Sequence, residues 1–186
     1  MSSIAGTTET SAGSTPRKGA DLARLMPESE TPMQLSDILD VSAVKVLSGC
    51  TSKKRLFHDL GAMAETAYGY NPSDVIDALI EREGLGPTGV GKGIALPHAR
   101  LPDVDKVSAL FLRLEKPLNF DAVDRQPVDL VFALLAPVDA GVDHLKALAL
   151  VSRTMRDADT CSKLRANNDA NTLHTLLTEM ASTQAA

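Results

Sequence analysis

The sequence predicts a single α/β domain, with helices on both faces of a mainly buried sheet. Three observations carry that expectation. Val107–Leu114 and Val128–Leu135 are near-continuous apolar runs, the pattern of strands covered on both sides. Segments before and after them space their apolar residues three and four apart, which is one face of a helix. The 186 residues, 44% of them hydrophobic, suffice for one sizeable core and not for two domains.

Residues 1–32 are rich in Ser, Thr, Gly and Ala and bury too little apolar area to offset the entropy of ordering, so a disordered tail is expected. Within it, Ala20–Met26 is long enough only for a fraying helical turn or two. Leu35–Leu39 reads as a short helical turn, and Val41–Leu47 alternates apolar residues with Ser42 and Lys45 as a strand does. Thr51 or Ser52 then caps a helix whose apolar stripe is Leu56, Leu60, Met63 and Ala67. Asn71-Pro72-Ser73-Asp74 starts a second helix, with Val75, Ile76, Leu79 and Ile80 on its inner face and Gly84 as its stop.

From Gly84 to Gly93 every second residue or so is glycine, which predicts an irregular loop. Ile94–Leu96 is a short strand ended by Pro97, and His98 stands just past it. The two long apolar runs are separated by a polar loop, Asn119–Pro127. Asp143 precedes a helix from His144 to Arg156, and Leu173, Leu176, Leu177 and Met180 mark a last amphipathic helix. Residues 182–186 are expected to form a disordered C-terminus, leaving 33–181 as the folded domain.

Charge and composition exclude several classes of function. A net charge of -5 provides no basic field to draw the whole molecule onto nucleic acid or anionic lipid. No Trp, two Tyr and four Phe leave little aromatic surface for stacking bases. The N-terminus lacks the pattern of a signal peptide, and nowhere do about 18 apolar residues run together, so a cytoplasmic protein outside the membrane is expected. Cys50 and Cys161 have neither metal-ligand spacing nor the density of a disulfide scaffold, and read as inert thiols in a reducing compartment.

Two glycine signatures overlap in the loop. Gly84-Leu85-Gly86-Pro87-Thr88-Gly89 has the spacing of a dinucleotide fingerprint, but it follows a helix where a strand is required. Gly86-Pro87-Thr88-Gly89-Val90-Gly91-Lys92-Gly93 matches a phosphate-cradling P-loop through Lys92. Position 93, however, lacks the magnesium-binding hydroxyl, and Pro97 follows in place of a helix. A nucleotide-binding protein is therefore only a minor alternative.

Of the four histidines, His58 and His174 lie off the apolar stripes and are expected at the surface. His98 differs, since a buried strand and a proline fix the backbone before it. His144 opens a helix, where the macrodipole disfavours its charged form and free N–H groups can receive an anion. A neutral imidazole is a competent nucleophile at neutral pH and forms a phosphoramidate without any cofactor or metal. Arg82, at the helix end leading into the glycine loop, could fork onto phosphoryl oxygens, although an exposed helix arginine is the plainer account of it. Arg100 and Lys92 are expected on the rim around His98.

The run from Arg82-Glu83 through Gly86-Pro87-Thr88-Gly89-Val90-Gly91-Lys92-Gly93-Ile94-Ala95-Leu96-Pro97-His98-Ala99-Arg100 closely resembles the phosphorylation-site segment of phosphotransferase-system enzyme IIA proteins of the mannitol, fructose and nitrogen-regulatory group. Phe120–Pro137 looks like that family's central strand region, Asp143-His144-Leu145-Lys146 matches its second active-site histidine, and Cys161-Ser162-Lys163-Leu164-Arg165 continues the likeness. The resemblance implies a mixed sheet of about five strands, His98 as phosphoacceptor, and His144 and Arg82 binding the phosphoryl oxygens. It also implies an HPr-type phosphocarrier as donor. Ser52-Lys53-Lys54-Arg55 and the downstream motifs are most similar to the nitrogen-regulatory branch. That branch implies regulated protein targets, such as potassium-transport or sensor-kinase proteins. A fructose- or mannitol-specific IIA passing the group to a IIB domain is the alternative. The departures are the long N-terminal tail and Ala99, where family members often carry glycine.

Overall fold

The computed structural model describes residues 31–185; the expected tail at 1–32, Ala20–Met26 included, lies almost wholly outside them. The chain opens with α1 (Leu35–Ile38), followed by a 3-10 turn at Val41–Ala43 and strand β1 (Val44–Leu47). β1 starts three residues later than the alternation suggests, because the Asp40 carboxylate accepts from Ser42 N at 2.8 Å and winds that stretch into a turn. α2 (Lys53–Tyr68) is capped by the Ser52 hydroxyl, which accepts from Arg55 N at 3.1 Å, and α3 (Pro72–Gly84) by the Asn71 side chain with Pro72 at its first position. Both helix starts are where the sequence puts them.

Short strands β2 (Gly89–Gly91), β3 (Ile94–Ala95) and β4 (His98–Leu101) precede the long β5 (Ser108–Leu118) and β6 (Val128–Pro137). Helices α4 (Val142–Arg156), α5 (Ala158–Arg165) and α6 (Ala170–Ala185) complete the domain. The expected helix at 144–156 thus begins two residues earlier, and α6 runs through 182–185, where a disordered end was expected. No breaker interrupts those residues, and the Thr183 hydroxyl bonds back to Glu179 O at 3.1 Å. α5 is an addition to the sequence reading, started by the Asp157 carboxylate, which accepts from Thr160 N at 2.9 Å.

Among the described residues one mixed sheet runs β1-β5-β6-β3-β2, with β4 also on β6. β1 is parallel to β5, β5 antiparallel to β6, and β3 and β4 are both parallel to β6. β3 pairs Ile94 with Leu130, and β4 pairs His98 with Leu134, four residues further along the same strand. They are therefore one strand spliced at Leu96-Pro97, where proline has no N–H to give the ladder, with β2 on the outer side of its first half. The splice is why six strands are present where about five were expected. Consecutive residues of β5 up to Leu114 and of β6 are buried almost throughout, so both faces of the sheet are covered there, while Glu115, Lys116 and Pro117 of β5 are exposed.

The glycine segment is also more regular than expected, since Gly89–Gly91 and Ile94–Ala95 form a hairpin. Gly91, Lys92 and Gly93 all have positive φ at its turn, 98°, 56° and 78°, which accounts for the flanking glycines. Cys50 and Cys161 are buried and free. No helix among the described residues is long and apolar enough to cross a membrane.

Candidate active site

The splice between β3 and β4 places His98 at the start of β4, half-buried, with its ring facing the C-terminal end of α3. Arg82, in the last turn of α3, donates from Nε to His98 Nε2 at 3.1 Å. Its Nη1 is anchored on Gly86 O at 3.1 Å, so the guanidinium is held at two points. On the other edge of the ring, Nδ1 lies 3.0 Å from Leu96 O. A carbonyl can only accept, and an arginine N–H can only donate. The neutral ring therefore carries its proton on Nδ1 and presents the Nε2 lone pair to Arg82.

His144, the third residue of α4, lies beside this ring, the two ring centroids 5.8 Å apart. It is only 5% exposed, and its Nδ1 is buried without a hydrogen-bond partner. Gly141 has no side chain with which to cap α4, and the positive end of that helix adjoins the pair. Burial first, then the charges of Arg100 and His98, hold the His144 imidazole below its ordinary value. Burial likewise lowers His98, and the Arg82 guanidinium adds to it against the opposing pulls of Leu96 O and Glu83. Both rings are thus biased toward the neutral form.

Arg82, His98, Ala99, Arg100 and His144 line one open cleft of about 300 Å³, with Leu85 on its lip. The three residues singled out from the sequence therefore converge, and Arg82 is not the exposed helix arginine of the plainer account. Lys92 does not join them. It sits in the β2–β3 turn, with its N–H on Asp124 Oδ2 at 2.8 Å and its carbonyl receiving Arg165 Nη2 at 2.7 Å. The P-loop likeness ends there, because this backbone N–H already holds a carboxylate and a strand follows the glycines. His58 is exposed as expected. His174 is not simply a surface residue, since it is half-buried and its Nε2 bonds Leu39 O at 3.0 Å across to the end of α1. Among the described residues no cluster of His, Cys, Asp or Glu could hold a metal ion.

Sequence reasoning passed over Glu83 and Thr88, which tie the segment behind Arg82 together. Their signal was the pairing of a charged residue at a helix end with a hydroxyl five positions on, which has no periodic signature.

The family described as phosphoenolpyruvate-dependent sugar phosphotransferase system, EIIA 2, matches residues 37–180. A nitrogen regulatory protein of Bradyrhizobium diazoefficiens is 45% identical over 145 residues, 78% of this chain and 95% of its own length. The nitrogen regulatory protein of Escherichia coli K12 is 38% identical over 159 residues, 85% of this chain and 98% of its own. In three dimensions, the nitrogen regulatory protein IIA-Ntr of Neisseria meningitidis shares the fold with a TM-score of 0.72 at 34% identity, covering 77% of this chain and 99% of that one. A match spanning nearly the whole folded domain, together with these relatives, means that the chain belongs to the phosphotransferase-system EIIA 2 family, where its likeness is to the nitrogen regulatory proteins.

Proposed function

We propose that this phosphotransferase-system component is a phosphoryl carrier and regulator, in which His98 Nε2 accepts a phosphoryl group from an HPr-type phosphocarrier and partner binding follows the phosphorylation state. The observation that carries this reading is the pair of hydrogen bonds on opposite edges of the ring, Nδ1 to Leu96 O and Arg82 Nε to Nε2. The Nε2 lone pair attacks the phosphorus of the carrier's phosphohistidine. A new N–P bond forms as the carrier's own breaks, and no proton has to leave Nε2 because it bears none. The Nδ1 proton stays on the ring, held by Leu96 O.

Phosphoryl transfer asks little covalent work of a protein, so positioning and charge are what the site supplies. The incoming group displaces Arg82 from Nε2, and the guanidinium turns its N–H groups onto the phosphoryl oxygens. His144 and the first turn of α4 offer further donors from the other side. With the Nδ1 proton retained, phosphorylation adds one net negative charge and three phosphoryl oxygens to the cleft between Leu85 and Arg100, and a partner docked there gains or loses contacts by that charge. The likeness to nitrogen regulatory proteins supports protein targets as those partners.

The test is labelled phosphoenolpyruvate with purified enzyme I and the carrier. Acid-labile label is expected on the wild type and none on His98→Ala. Label entering His98→Ala at the wild-type rate would overturn the assignment. Onward transfer to a purified IIB domain as fast as loading would assign a sugar-specific role instead, and stabilisation by ATP would revive a nucleotide site.

A further inference from the structure

We propose that Glu83 is a positioning residue for phosphoryl transfer, whose carboxylate fixes through Thr88 both hydrogen bonds that orient the His98 ring. The inference rests on His98 being the phosphoryl acceptor. Glu83 follows Arg82 in the last turn of α3, yet its side chain is only 8% exposed. A carboxylate there opposes the negative end of the helix dipole and must have its oxygens satisfied, so helix stability alone does not select it. Satisfaction comes from outside the helix. Thr88 N donates to both carboxylate oxygens at 3.2 Å, the Thr88 hydroxyl donates to Oε2, and Lys53 Nζ lies 3.0 Å from Oε1. Lys53 is held in turn by Asp121 at 3.1 Å and sits 4.7 Å from the centre of the Phe120 ring.

Two lines run from Thr88 to the two ring nitrogens. Along the first, Thr88 O accepts from Leu96 N at 2.9 Å, and Leu96 O takes the Nδ1 proton of His98 at 3.0 Å. Along the second, the Glu83–Thr88 contact closes the loop that contains Gly86. The Gly86 carbonyl holds Arg82 Nη1 at 3.1 Å, and Arg82 Nε reaches His98 Nε2 at 3.1 Å. Thr88 is 4% exposed, so neither line passes through solvent at that point. Connected buried bonds of this kind act as a unit, and loosening one end shifts the other.

Glu83→Gln keeps the shape while removing the charge and one acceptor. Nitrogen-15 NMR of the imidazoles reads the His98 tautomer with no carrier present, and single-turnover labelling reads the transfer rate. In folded Glu83→Gln we expect mixed tautomers in place of the Nδ1–H form. Transfer should slow by about 10- to 100-fold, the scale on which misplaced reacting groups act. Thr88→Val, which loses only the hydroxyl, is expected to move both readouts the same way by less, with Thr88→Ser restoring them. It decides the matter if Glu83→Gln does not fold. A wild-type tautomer signature in Glu83→Gln would overturn the proposal, even with a slower rate, since that combination marks a general structural role. Should wild-type protein take no label at all, the phosphoacceptor reading fails on its own, and the NMR comparison still reports whether Glu83 governs the ring.

Discussion

Burial first, and the Arg82 guanidinium after it, hold the His98 imidazole below 6.5, and burial with Arg100 does the same for His144. In the unfolded chain both rings regain the ordinary value, so below about pH 6.5 the unfolded state binds more protons than the folded one. Stability is therefore undiminished by these groups above that pH and falls as pH drops through the window down to their folded-state values. Arg82→Ala removes both a positive charge and the donor that occupies Nε2. We expect His98 to titrate higher in that variant by NMR, and the loss of melting temperature between about pH 7.5 and 5 to become shallower. An unmoved His98 titration would mean that the 3.1 Å contact is not maintained in solution. His98 stood out in the sequence because the proline before it is a local signal, whereas Arg82 read by itself as an exposed helix arginine and was singled out by the family resemblance. The partners that fix them were not legible, because Leu96 O and Gly86 O are main-chain atoms that any residue type would supply.

Helix starts were the most legible elements, since Ser52 and Asn71 cap their helices through bonds that span only a few residues. The β2–β3 hairpin was not, although its glycines were noticed, because what makes it a hairpin is pairing and packing against distant strands. Gly89 shows this. A Cβ there would stand 2.8 Å from Ala122 Cα in the β5–β6 loop, a contact that neither backbone can relieve without moving. Gly89→Ala is expected to lower stability by about 1–3 kcal/mol, the usual cost of overpacking, read as a shifted urea midpoint. Gly49→Ala, with nothing within 4 Å of the added carbon, is the matched control. Equal midpoints for the two variants would mean that the loop yields at no cost. α5 was missed for a different reason. Its cap was readable at Asp157, but eight residues give too short a stripe to register as periodic.

At the scale of the whole molecule, the fold class was legible because the runs Val107–Leu114 and Val128–Leu135, which form most of β5 and β6, are nearly all apolar, and a strand of that kind has only one place to go. These strands also carry the site, as β6 pairs with β3 and β4 on either side of the splice before His98. Amides of β6 and of its partner β5 are expected to exchange with solvent only on global unfolding, and those of the Leu85–Pro87 loop far sooner, by native-state hydrogen exchange. Comparable rates in the two regions would show the domain opening from its centre. The carbonyl that takes the Nδ1 proton has a consequence for how such a site changes over generations. Leu96 contributes a main-chain oxygen, and its buried side chain serves only to pack. Mutation can exchange that side chain for another apolar one and leave the ring's orientation untouched. Selection at position 96 therefore acts on volume, while the chemistry is inherited through the backbone path of a strand.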